Sequence, residues 1–596
     1  MFLYDPLSRD DSEIRLVRFH ETSGSELSLS LELRHASMSE TNYSALSYVW
    51  GDVSDTIEIN LNNSSIKIGR NLHAGLKQLR EDGVRDWLWI DSICIRQSDL
   101  DEKTYQVGLM RDIFSNADRV YSWLGPGSNG SDAAMDFLSR IGPTAMKFKG
   151  LNIQDTDKKV IAYLNNSTSY KDSTGDGGDV LEYAHFIHDI LHEPDLRGKN
   201  HGHNGLATGI QSLMERDYWH RIWIFQEVAL AKEVIIVCGT KTMPLEILEA
   251  ALNVIDHCYA RYRYQGPDTR DFGRGLHSNF SYKLATQTRT MKLRGHQIHL
   301  DSLLYHHMAP PDRPFYSATD PRDIIFGLLG VTTDNDRLGI QVDYRATMAE
   351  VFTATTRAFI ENDGSYWGSY KLDTCVPKEE GVDGLPSWVP DWREVGKNGI
   401  SEDPINMSML FDATPGVTVP PVTRTSTDDS VGILRRHGCQ VDIITDAMQP
   451  HKDVSGKDRS AIDLANSDSR LRSICEFMNL GPEIGPGEDY IWRVLLAPHW
   501  YRRINASMST GIATLVHKIM RRSLIEVDIL TPEQKAFIQD LRDFWNKPPE
   551  VNHISAELAN ARKILQEEER LFNYQRTLFK TTKNMLGLGY KMVRPV

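Results

Sequence analysis

Residues 14–33 (IRLVRFHETSGSELSLSLEL) form two runs with partial apolar/polar alternation around a Ser/Gly turn, which predicts a β-hairpin with one buried face. Tyr43–Val49 is a further β-like run, and Asp55–Asn60 and Ser65–Ile68 make another pair about an Asn-Asn turn. The period then changes, and Asn71–Glu81 reads as a helix. Trp87–Ile95 (WLWIDSICI) is almost continuously apolar, as expected of a strand covered on both faces. Ser98 followed by Asp101 resembles a capping box. Val107, Met110, Ile113, Phe114 and Ala117 then repeat at helical spacing, predicting one helix from about Leu100 to Ala117. Arg119–Leu124 returns as a strand, closed by Gly125-Pro126-Gly127. This alternation predicts an α/β domain with a mainly parallel sheet and flanking helices.

Between residues 129 and 209 the chain turns polar and rich in Gly, Asp and Ser, which reads as an insertion with some helix. Ile210–Ala231 follows as one long helix carrying four aromatics, then Val234–Cys238 as a strand. Beyond it come helical segments, a loop over Pro310–Asp323 and a helix over about Thr347–Asn362. The Pro/Thr-rich stretch Pro404–Ser426 marks a boundary. The remainder mixes strand-like Gly432–Thr445 with helices over Thr531–Trp545 and Ser555–Tyr574. The resulting division is an α/β domain over 1–240, a helical extension over 241–400 and a helix-rich α+β region over 401–596. No internal repeat or long heptad array appears.

A chain of 596 residues exceeds what one core can serve, which supports two or three domains. A formal charge of −14 argues against nucleic acid as a partner, because phosphate binding needs clustered Lys and Arg. No apolar run approaches the roughly 20 residues of a membrane span. Met1–Asp10 lacks a signal-peptide pattern, so a cytoplasmic or nuclear location is expected, with cytoplasmic preferred. Six cysteines (Cys94, Cys238, Cys258, Cys375, Cys439 and Cys475) occur without a C-x-x-C pair, which fits reduced thiols; Cys94 and Cys238, inside apolar runs, read as core thiols.

Three segments carry a shared signature in order: Tyr43–Asp52 (YSALSYVWGD), Leu88–Gly125 (LWIDSICIRQSDLDEKTYQVGLMRDIFSNADRVYSWLG) and Glu215–Gly239 (ERDYWHRIWIFQEVALAKEVIIVCG). They resemble the motifs of the fungal heterokaryon incompatibility (HET) family. Asp320–Gly330 (DPRDIIFGLLG), Asp343–Phe352 (DYRATMAEVF) and Leu385–Trp392 (LPSWVPDW) resemble the connectors that follow the domain in that family. Thr577–Gly589 resembles the start of the family's closing β-module, which is expected to be truncated or divergent here. The resemblance implies an effector of non-self recognition and programmed cell death, with residues 1–240 as the HET domain and the C-terminal part as sensor or restraint. It also implies homo-oligomerisation on activation and a protein partner in recognition.

HET domains are similar to Toll/interleukin-receptor (TIR) domains, some of which cleave NAD⁺. The comparison makes Glu227, in RIWIFQEV, the candidate catalytic carboxylate. It draws Ser47, Trp50, Gly51, Asp52, Asp91, Arg96 and Trp223 into a nucleotide pocket, with NAD⁺ as substrate and no resident cofactor. The chemistry is self-consistent, because a carboxylate beside the ribose offsets the positive charge of an oxocarbenium-like transition state. Gly51 would admit a close phosphate or ribose, Asp52 or Asp91 would hold ribose hydroxyls, and Arg96 would meet a diphosphate. Each residue also has a structural reading: Glu227 paired with Arg221 or Arg119, Gly51-Asp52 as turn chemistry, Trp50 as core. The functional alternative to an NAD⁺ glycohydrolase is a non-catalytic adaptor that acts by self-assembly and partner recruitment. His185, His188 and His192 share a helical face, with His201 and His203 nearby; exposed histidines are preferred over a metal site, so no metal ligand is assigned.

Overall fold

The computed structural model describes residues 4–9, 12–20, 29–52, 54–128, 130–148, 160–161, 178–193, 206–262, 280–306, 316, 318–362, 384–386, 388–393, 444–447, 576–581 and 586–590. The chain divides into two compact units, 1–358 and 359–596.

The first unit is built on a nine-stranded sheet in the order β5-β4-β2-β1-β6-β3-β7-β8-β9. Its strands are β1 (Glu13–Phe19), β2 (Ser30–Ser37), β3 (Ser44–Tyr48), β4 (Thr56–Leu61), β5 (Ser64–Gly69), β6 (Leu88–Trp89), β7 (Val120–Trp123), β8 (Val234–Cys238) and β9 (Lys241–Pro244). The central run β6-β3-β7-β8 is parallel, while β1 pairs antiparallel with β2 and β6, and β4/β5 and β8/β9 are antiparallel hairpins. The sheet is therefore mixed, which corrects the expectation of a mainly parallel one. Short connections decide this, since a parallel neighbour requires a long crossover. The β4–β5 turn is Asn62-Asn63 with φ of 48° and 62°, left-handed values that suit a tight hairpin and that Asn tolerates. Every residue of β3 and β7 is buried, as the middle of a sheet covered on both faces requires.

The helices of this unit are α1 (Arg70–Glu81), α2 (Asp91–Cys94), α3 (Leu100–Gly108), α4 (Met110–Asn116), α5 (Ser131–Lys147), α6 (Gly178–Leu191), α7 (Leu206–Met214), α8 (Ile224–Ala229), α9 (Leu245–Tyr262), α10 (Phe280–Leu293), α11 (Leu300–His306), α12 (Asp323–Leu329), α13 (Asn335–Leu338) and α14 (Met348–Asn362), the last crossing residue 358. Four differ from the sequence expectation. The strand expected over Trp87–Ile95 stops at Trp89 and turns into α2, because burial on all sides does not distinguish a strand from a buried helix. Asp91 starts that helix, its carboxylate accepting the Ser92 N–H (2.7 Å) and its carbonyl the Ile95 N–H (3.2 Å). The helix expected over 100–117 breaks at Leu109, and its cap is Asp99, not Ser98; the Asp99 carboxylate accepts the N–H groups of Asp101 and Glu102.

The helix expected over Ile210–Ala231 is in fact α7, a 3₁₀ turn over Asp217–His220 and α8. The backbone opens at two arginines, Arg216 (ψ 139°) and Arg221 (ψ 132°). Arg216 is anchored to the loop after β7, donating to the carbonyls of Leu124 (3.1 Å) and Pro126 (2.8 Å). The region read as a polar insertion contains α5, a core helix whose Ala134, Met135 and Leu138 are fully buried. It packs so closely on α9 that a Cβ on Gly142 would stand 2.5 Å from the Ile247 side chain.

In the second unit, β10 (Ile444–Ala447), β11 (Arg576–Thr581) and β12 (Leu586–Tyr590) form an antiparallel sheet in that order. The helices expected over 531–545 and 555–574 lie outside the described residues.

Candidate functional site

The parallel core has the chain order β3, β6, β7, β8 but the spatial order β6-β3-β7-β8, so successive crossovers leave β3 toward opposite sides. In open α/β sheets a crevice opens at such a reversal, beyond the carboxyl ends of the strands. Here the reversal lies between β3 and β7, where Ser47 and Ser122 are register partners.

Ser47 Oγ donates to Glu227 Oε2 at 2.5 Å. Tyr218 Oη stands 2.8 Å from Ser47 Oγ and 2.8 Å from Ser122 Oγ. Each hydroxyl has one proton, so the chain Ser122–Tyr218–Ser47–Glu227 is polarised toward the carboxylate when Glu227 is ionised and away from it when Glu227 is protonated. The β3 and β7 serines reach Glu227 because the 3₁₀ turn aims Tyr218 at the sheet and the extended backbone at Arg221 brings α8 in behind it.

Arg221 Nη1 donates to Glu227 Oε2 at 3.1 Å; the side chains are 14% and 3% exposed, so Arg221 forms the outer face of the pair. Burial pushes the Glu227 carboxyl up from its ordinary value, against the opposing pull of Arg221 and Ser47. Asp91 is half-buried and its carboxyl is also pushed up by burial, opposed by Arg221 and by the Trp50 indole N–H, which donates to Asp91 Oδ2 at 2.8 Å. Burial opposes the charge of Arg221 and both acids favour it, Glu227 as a direct ion pair and Asp91 through space. The adjoining wall is polar too, with Tyr48 Oη donating to Ser92 Oγ at 2.6 Å.

Of the residues singled out in the sequence, Ser47 is bonded to Glu227 and Trp50 to Asp91. Trp50 is 38% exposed and is not core. Gly51 takes the left-handed φ of 73° with open space where a Cβ would stand. Asp52 is exposed and accepts the N–H and hydroxyl of Ser54 (2.8 and 2.7 Å), bonds that hold its carboxyl below the usual range. Arg96 is exposed and faces Asp99 at 3.8 Å. Trp223 turns to α12, donating to Asp323 Oδ2 at 3.1 Å. Arg119 pairs with Glu233, so Arg221 is the partner of Glu227. Tyr218 and Ser122 were not foreseen. The signal for Ser122 is a serine inside an apolar strand, VYSW, which matches Ser47 of SALSY in being followed at once by an aromatic residue.

Cys94, Cys238 and Cys258 are free and buried; Cys375, Cys439 and Cys475 lie outside the described residues. His188 and His192 stack ring on ring at 3.9 Å, and His201 and His203 lie outside the described residues. Among the described residues, the His/Asp group compact enough to approach one metal ion is instead His299, Asp301 and Asp334. Two of its carboxylates already cap backbone: Asp334 accepts the Leu300 N–H and Asp301 the Ser302 N–H. No helix among the described residues is long and apolar enough to cross a membrane.

Residues 43–227 match the family model described as heterokaryon incompatibility protein (HET). The heterokaryon incompatibility protein 6, OR allele, of Neurospora crassa is 30% identical over 470 residues, which cover 73% of this chain and 65% of that protein. The chain thus spans just under two thirds of the relative's length. No solved structure matches.

Proposed function

The chain is a HET-domain protein, and from that premise we propose that it is an effector of fungal non-self recognition and programmed cell death that acts by cleaving NAD⁺ at the carboxyl ends of β3 and β7. Homo-oligomerisation in the cytoplasm, prompted by a protein partner, is the trigger, and the C-terminal region is the sensor or restraint. The similarity to TIR domains supplies the reaction. The observation that carries the reading is the carboxylate of Glu227 at the strand-order reversal, bonded to Ser47 and paired with an outward-lying Arg221.

In this reading the ribosyl–nicotinamide bond breaks with its electron pair leaving on neutral nicotinamide, water adds to the ribose carbon, and a proton departs to solvent. Glu227 offsets the charge that develops on the ribose, a role that requires its ionised form. Ser47 and Arg221 favour that form against burial. Arg221, on the outer side, meets the substrate's phosphates, and Trp50 offers an exposed ring edge held by Asp91.

The 3% exposure of Glu227 favours a second reading, in which the domain is a non-catalytic adaptor and the buried pair only braces the sheet. Clustered protein incubated with NAD⁺ separates the two. Nicotinamide release by the wild type and none by Glu227→Gln is expected. Equal release by both would remove Glu227 from the reaction, and no release by assembled wild type would leave the adaptor.

A further inference from the structure

The segment that carries Glu227 is gripped by chain beyond the family-matched residues 43–227. Helix α8 has six residues and no side-chain cap at its N-terminus, too short to hold its own position. Its entry is fixed by α12: the Trp223 indole N–H donates to Asp323 Oδ2 at 3.1 Å, and Gln226 Nε2 donates to the carbonyls of Phe326 and Gly327 at 3.0 and 3.2 Å. The Asp323 carboxylate is itself oriented, because Tyr344 Oη donates to its other oxygen at 2.6 Å. With one donor on each oxygen, the carboxylate plane has one setting, and that setting fixes the height of Trp223 one turn before Glu227.

We propose that Asp323 is a positioning residue for the reaction assigned to Glu227: by holding Trp223 it sets α8 at the height that brings Glu227 onto Ser47. The inference rests on the reading of Glu227 as the reactive carboxylate. Bulk packing alone would not single out one acid. The two-donor arrangement does, because Asn at this position keeps the shape but must turn its NH₂ toward one of the two donors.

The test uses the full chain as Asp323→Asn, Trp223→Phe and the double variant, with Tyr344→Phe as the milder variant that keeps the Trp223 bond. Two quantities are read: amide hydrogen exchange of residues 224–231 against that of β3 and α9, and the kcat and KM of nicotinamide release. Loss of a bond to a charged acceptor is expected to speed exchange of 224–231 by about ten-fold in Asp323→Asn, with β3 and α9 unchanged. Tyr344→Phe is expected to give a smaller effect in the same segment, and kcat to fall more than KM changes. In the Trp223→Phe background, Asp323→Asn should add nothing. Unchanged exchange at 224–231, or additive effects in the double variant, would overturn the positioning role. Coupled exchange without nicotinamide release by the wild type would overturn the assigned reaction, and with it the role of Asp323 in that reaction, while leaving the contact itself intact.

Discussion

Ser47 and Glu227 are 180 residues apart in the chain and 2.5 Å apart at Oγ and Oε2. That one contact ties the central strand to a six-residue helix and closes a hydroxyl chain that begins on the neighbouring strand at Ser122. A buried acid fixed in this way has a charge state that the hydroxyls on one side and Arg221 on the other decide jointly.

Ser47→Ala removes the hydroxyl that favours ionised Glu227. A bond to a charged group contributes about 1.5–3 kcal/mol, so urea unfolding near pH 8 should show a loss of that order. The sign follows from linkage: Ser47 lowers a carboxyl that burial has raised, so its contribution is present where Glu227 is ionised and fades as pH falls through the folded value. Unfolding measured near pH 8 and again near pH 4 should therefore give a smaller loss at the lower pH. The same loss at both would mean that the bond does not depend on the charge of Glu227.

Arg221→Ala leaves the buried Glu227 carboxylate without its paired cation. Removing one partner of such a pair costs about 3–5 kcal/mol. Replacing both members, as Arg221→Met with Glu227→Leu, should cost less than the sum of the single changes, because no uncompensated charge remains. Denaturant midpoints for the wild type, Arg221→Met, Glu227→Leu and the double variant form the cycle. Simple additivity would show that the two groups do not act as a pair.

Most strands of the first unit were readable because alternation, short apolar runs and the Asn-Asn turn are local signals, whereas β9 was not expected and β6 was expected to be far longer. The order in which the strands pair was not readable, since the mixed sheet follows from which connections are short enough to be hairpins. Helix ends were least legible at Arg216 and Arg221, where guanidinium bonds, from Arg216 to the loop after β7 and from Arg221 to Glu227, accompany an extended backbone inside a run that is helical by composition. The site was half legible. Glu227, Ser47, Asp91 and Trp50 were singled out in the sequence, and the structure bonds Ser47 to Glu227 and Trp50 to Asp91. Tyr218 and Ser122 escaped because a tyrosine in an aromatic-rich segment and a serine in an apolar strand acquire meaning only when the register sets them side by side. Trp223 was placed with the nucleotide by analogy, whereas its indole N–H is bonded to Asp323 across a sequence gap that no periodicity spans.

Asp323 should impose a pH dependence of its own on stability. Burial pushes its carboxyl from 3.8 to about 6, opposed by the bonds from Tyr344 and Trp223, with Asp320 adding to the rise and Lys103 opposing it. Between those two values the folded chain holds the proton that the unfolded chain has released, so stability falls as pH rises from about 4 to 6 and the loss is complete above the folded value. A rise of this size corresponds to roughly 3 kcal/mol. Asp323→Asn lacks the titrating proton, so its stability difference from the wild type should change by that order between pH 4 and pH 7. A constant difference across that range, followed by denaturant unfolding, would show that Asp323 does not titrate there.

A chain ended at residue 240 should not fold as the domain does, although it includes all of the family-matched residues. Its α8 would lose Asp323 and the carbonyls of Phe326 and Gly327 at its entry. At its exit it would lose the buried Arg289 of α10, which donates to the carbonyls of Val228 (3.0 Å) and Ala231 (2.5 Å). The carbonyls at that end would then need water, and the apolar faces of Ile224, Phe225 and Val228, all fully buried in the whole unit, would be uncovered. A chain ended at residue 362, after α14, keeps these partners. The longer form is expected to unfold cooperatively on heating and the shorter to aggregate or melt without a transition, as followed by circular dichroism and size-exclusion chromatography. Cooperative unfolding of the 1–240 form would mean that α8 is held by the sheet alone, and the helices after residue 240 would then have no part in setting Glu227 against Ser47.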